Sequence, residues 1–141
     1  MTRRGEVGAA STELAVLTPL LIGFMLLAVY GGRVVQAEAD VAHAAQEAAR
    51  AASLAGDPDA AEMAAQQTAA ANIVEGRVAC RRLLVSADTD MFAPGGQVAV
   101  TVSCEASFAD LVLLAVPGSR TFAATAVEVI DTYRADQGGL P

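Results

Sequence analysis

From Leu14 to Gly32 the chain carries no charged side chain, and most positions are Leu, Val, Ile, Ala, Phe or Met. As a helix at about 1.5 Å per residue, such a run reaches about 28 Å, close to the hydrocarbon thickness of a bilayer. Arg3 and Arg4 precede it, only Arg33 follows it directly, and Glu38 and Asp40 come next. The positive-inside rule then predicts a single-pass cell-membrane protein with its N-terminus in the cytoplasm and everything after residue 33 outside. Pro19 is expected to fall within the first turns of this helix, where it is tolerated.

The apolar run does not stop at a turn. It passes into an alanine-rich segment, about Val34 to Ala55, whose positions 34, 37, 41, 44, 48, 51 and 55 are Val, Ala, Val, Ala, Ala, Ala and Ala. Gln36, Glu38, Asp40, Gln46, Glu47 and Arg50 lie between them, so one long helix is expected, apolar below and amphipathic above. Two readings of the alanine seam stay open: packing on the chain's own domain, or an interface between subunits. Gly56-Asp57-Pro58 is a break with capping chemistry. A second helix is expected from Pro58 to about Val74, with Gly76 beyond its end.

Beyond Gly76 the pattern alternates in Val78–Ser86, Gln97–Ser107 and Arg120–Thr132, with Pro94-Gly95-Gly96 in the first connection. Phe108–Val116 reads as a short helix, Pro117-Gly118 as a turn and residues 135–141 as a flexible tail. The expected fold is α+β: a long N-terminal helix, a second helix and a small three-stranded antiparallel sheet. The segments are 1–8 as a cytoplasmic leader, 9–33 as the membrane helix, 34–76 as a helical region and 77–134 as the β region.

Cys80 and Cys104 are the two cysteines. They cannot form a structural zinc site alone, and in an exported domain a disulfide is the expected use of them. Both are equidistant from residue 92, so a symmetric hairpin sets them opposite one another, whereas an offset of one residue puts them on opposite faces.

Glu13 stands at the cytoplasmic edge of the apolar run, where a carboxylate is costly without a partner. Gly8 lies just upstream, followed by Ala9-Ala10-Ser11-Thr12. Cleavage after Gly8 makes Ala9 the N-terminus and Glu13 the fifth residue, so an ammonium and a carboxylate can attract each other within one chain or between neighbours. The plainer reading of Glu13 is a snorkelling interfacial acid. Ala37-Glu38-Ala39 also fits the small-residue pattern of ordinary signal peptidase, and cutting there releases a soluble protein starting at Asp40.

The run Gly8-Ala-Ala-Ser-Thr-Glu13-Leu-Ala followed at once by an apolar helix resembles the processing site of type IV pilin-like proteins. With Pro19-Leu-Leu, Ala44-Ala-Gln-Glu-Ala-Ala-Arg50-Ala-Ala and Pro117-Gly-Ser-Arg-Thr-Phe-Ala-Ala-Thr-Ala-Val-Glu128, it resembles more narrowly the TadE-like minor pseudopilins of the tight-adherence (Flp-type) pilus system. The resemblance implies cleavage after Gly8 by a prepilin peptidase. It also implies a role in assembling or priming a pilus alongside other pilin-like subunits and the assembly platform, with Glu13 acting in processing or assembly. Two positions depart from the pattern: Ala9 stands where classical pilins have Phe, and Leu14 where an aromatic commonly follows the glutamate.

Other classes find little support. A net charge of −7, with basic residues concentrated only at Arg3-Arg4, is unsuited to nucleic acid. His43 is the only histidine and has no nucleophile arranged with it, and the acids Asp88, Asp90, Asp110 and Asp131 lack calcium-loop spacing. No enzyme activity, cofactor or metal is expected. Two alternatives stay open: a bitopic protein with a generic extracellular interaction domain, and a secreted soluble protein.

Overall fold

The computed structural model describes residues 6–76, 78–107 and 118–133, with side chains from residue 13 onward. The fold is α+β, with α1 at Glu6–Ser53, α2 at Pro58–Glu75, β1 at Cys80–Asp88, β2 at Gln97–Ser107 and β3 at Ser119–Val129. The chain forms two compact units, Met1–Val34 and Val35–Pro141. The expected short helix at 108–116, Pro117 and the tail lie outside the described residues.

The helix breaks follow local chemistry. After Ser53 the chain tightens, with the Leu54 and Ala55 amides donating to the carbonyls of Ala51 and Ala52. Asp57 then caps α2: its extended backbone leaves Oδ1 free to accept from the Ala60 amide at 2.8 Å, and Pro58 occupies the first turn. At the other end the Gly76 amide donates to the Asn72 carbonyl. A Cβ on Gly76 would lie 3.3 Å from Asp40 Oδ2, so the end of α2 sits beside Asp40 of α1 and the two helices run antiparallel.

Pro19 departs from expectation. Because α1 begins at Glu6, Pro19 lies well inside the helix rather than in its first turns. Proline cannot donate to the carbonyl one turn below it. The carbonyl left without that donor is Ala15's, and the neighbouring Thr18 hydroxyl donates instead to the Leu14 carbonyl at 2.6 Å.

The alanine seam also shifts. Residues Ala37, Val41, Ala44, Ala45, Ala48, Ala49 and Ala52 are buried, whereas Val34, Ala51 and Ala55 are only partly so. A strict 3.5-residue repeat drifts around a straight helix, and the stripe that faces the core advances with the 3.6-residue turn. On α2 the buried positions are Ala61, Ala65, Ala69 and Ile73, one per turn. Alanine seams allow close approach, and α2 packs against β1 of the sheet.

The sheet is an antiparallel meander in the order β1-β2-β3. On central β2, Val98, Val100, Val102, Cys104 and Ala106 are buried, and their cross-strand partners include Val85 on β1 and Phe122 on β3. The other face carries Ser86, Thr101 and Thr125 in one row, with the two threonine hydroxyls 2.8 Å apart. β1 starts two residues later than expected, and β3 ends at Val129, short of Thr132.

Candidate processing and anchoring site

Residues 6–12 are already helical, so Gly8 and Ala9 lie at the start of α1 and Glu13 follows Ala9 by four residues. That spacing puts Ala9 and Glu13 on one face, one turn apart. Glu13 is exposed.

Above Glu13 the helix is apolar on every side. Leu14, Val16, Leu17, Leu20, Leu21, Ile22, Phe24, Met25, Leu27 and Val29 are all exposed within the chain. A helix that is hydrophobic all round is covered in a protein core or in a bilayer, and none of the side chains described between Glu13 and Val34 is buried. Leaving these side chains in water costs on the order of 20 kcal/mol. α1 is long and apolar enough to cross a membrane.

The Ala39–Asp40 bond, the alternative cleavage point, lies inside α1 between the buried residues Ala37 and Val41. A chain beginning at Asp40 lacks a core residue and part of the helix flanking Gly76.

Cys80 and Cys104 form a disulfide, with Cα atoms 5.4 Å apart. The geometry differs from the symmetric hairpin. Leu83 is the partner of Cys104, Cys80 is the partner of Ala106, and a bulge interrupts the ladder between Cys80 and Arg82. The hairpin is centred between residues 93 and 94, because the connection folds on itself, with the Met91 carbonyl accepting from both Ala93 and Gln97. The bulge takes up the resulting offset and returns Cys80 to the buried face, where Cys104 lies.

The remaining singled-out residues have local roles. Asp88 and Asp131 each accept from the backbone amide two residues on, at Asp90 and Tyr133, and so close turns. His43 is exposed on the polar side of α1. Among the described residues no group of three or more His, Cys, Asp or Glu side chains comes together.

The family model for TadE-like proteins matches residues 8–50. The match contains Gly8, Ala9, Glu13, the whole uncharged run and the alanine-rich segment to Arg50, and it stops short of Pro117–Glu128. Over this stretch the chain is similar to TadE-like proteins. Comparison with curated proteins and with solved structures finds no match.

Proposed function

We propose that the chain is a membrane-anchored, pilin-like accessory subunit in the assembly of a tight-adherence pilus, cleaved after Gly8 by a prepilin peptidase. The observation that carries this reading is the TadE-like match at residues 8–50, which spans the cleavage motif and the apolar helix together. Arg3 and Arg4 hold the N-terminus in the cytoplasm, and the unit from Val35 onward lies outside. The Cys80–Cys104 disulfide agrees with an oxidising compartment. Inside the membrane the apolar helix associates with helices of related subunits and of the assembly platform by van der Waals packing. Glu13 gives that packing its register by pairing with an N-terminal ammonium in a low-dielectric setting, where an unpaired carboxylate is costly.

The N-terminal residue of the protein isolated from native membranes, read by mass spectrometry, tests the reading. A start at Ala9 is expected. A start at Met1 or Asp40 overturns it, leaving an anchored or a secreted domain without pilin-type processing. Glu13→Gln keeps size and hydrogen bonding but removes the charge, and it is expected to impair processing or pilus formation. Unchanged processing and piliation in that variant rule out the pairing mechanism.

A further inference from the structure

β1 and β3 are both edge strands, and they are defended differently. β1 carries a bulge beside Arg81 and Arg82, ends on Asp88 and has α2 packed against it. Charges, bulges and covering helices are the devices that discourage addition of a further strand. β3 has none of the first two over Thr121–Val127, which reads Thr-Phe-Ala-Ala-Thr-Ala-Val, pairs with β2 in unbroken register and is bracketed by Arg120 and Glu128.

The direction of its peptide groups follows from its end. The Ile130 amide donates to the Gly96 carbonyl and the Ile130 carbonyl accepts from the Gly95 amide, so the peptide groups of Ile130 face β2. Alternation turns the even-numbered residues of β3 toward β2, and the peptide groups of Thr121, Ala123, Thr125 and Val127 outward. Among the described residues no strand pairs with that outer side.

We infer that β3 pairs antiparallel with β3 of a second copy about a two-fold axis at Ala124, joining two sheets into one. Charge selects this register. In a pair centred on Ala124, Arg120 stands opposite Glu128 of the second copy, and Glu128 opposite its Arg120. The neighbouring registers that use the same outward peptide groups set Arg120 against Ala126 or Ile130 and lose both ion pairs. Thr121 then exchanges hydrogen bonds with Val127, and Ala123 with Thr125. Arg120 and Glu128 occupy non-hydrogen-bonded positions, where opposed side chains come closest. A two-fold contact is self-complementary, so it closes at a dimer rather than propagating. The pairing concerns the unit from Val35 onward and does not depend on the pilus reading.

Ala124→Cys in the full chain, held in its native membrane or in detergent, tests the pairing. Across the axis the two introduced thiols sit on Cα atoms about 4.5 Å apart, within the range of a disulfide. Mild oxidation is expected to give a covalent dimer on a non-reducing gel, with the bridge located by peptide mapping. Thr101→Cys on the central strand should stay monomeric. In the Ala124→Cys background, Arg120→Glu or Glu128→Arg alone should lower the dimer yield roughly tenfold by turning both pairs repulsive. Combining the two reversals in one chain, or mixing the two single variants, should restore it. Absence of the dimer in a chain that retains its melting temperature overturns the pairing, as do yields that ignore the charge reversals.

Discussion

At the scale of single residues, the β1–β2 connection tolerates little. A Cβ on Gly96 would overlap the Met91 carbonyl oxygen, and that oxygen already accepts from Ala93 and Gln97. The obstacle is backbone, so it cannot swing aside as a side-chain end can. Gly96→Ala is therefore expected to destabilise the folded unit by about 1–3 kcal/mol, read as a lower midpoint in urea. A wild-type midpoint would mean that the connection rearranges freely. Gly95, beside it, has φ +79, a left-handed conformation that glycine adopts without strain. The sequence marks Pro94-Gly95-Gly96 as a turn, but the crowding at Gly96 depends on where the Met91 carbonyl lands, and no local pattern encodes that. Glu13 draws attention for the opposite reason, because a lone carboxylate against an apolar run is conspicuous in one dimension.

Elements were legible where one physical rule dominated. The α2 boundaries follow from Asp57, Pro58 and Gly76, and β2 from strict alternation. The register of β1 was not, because it depends on a bulge beside Arg81 that alternation does not announce. Likewise the alanine seam of α1 could equally have served a subunit interface, since alanine favours helix wherever it sits. The buried positions Ala44, Ala45 and Ala48 resolve this, for they are fully enclosed within their own fold. Overpacking such a position forces neighbours off their rotamers. Ala48→Leu is expected to cost about 1–3 kcal/mol in the isolated chain, whereas Gln46→Leu on the exposed side should change the melt little. An interface seam would behave the other way, leaving the isolated chain's melt untouched by Ala48→Leu and failing only on assembly.

For the whole molecule, the division at Val34 separates an apolar helix from a unit with a core of its own. The residues described between Glu13 and Val34 contribute no buried side chain, and among the described residues all the buried ones, from Ala37 to Ile130, belong to the unit from Val35 onward. The first unit is therefore stabilised by what surrounds it, and the second by its own core and disulfide. It follows that a chain beginning at Val35 should be soluble, form the Cys80–Cys104 bridge and unfold cooperatively. A chain beginning at Asp40 loses Ala37 and the turn that leads into Val41. Ala37 is one of the five residues, 35–39, that separate the two starts, so Asp40 and Val41 fall in the frayed end of a helix. The second truncation should melt several degrees below the first, an effect of about 1 kcal/mol or more on a domain of this size. Equal melting temperatures would mean that the first turns of the upper helix add nothing to the core. Failure of the Val35 chain to fold would mean that the apolar helix is needed for more than anchoring.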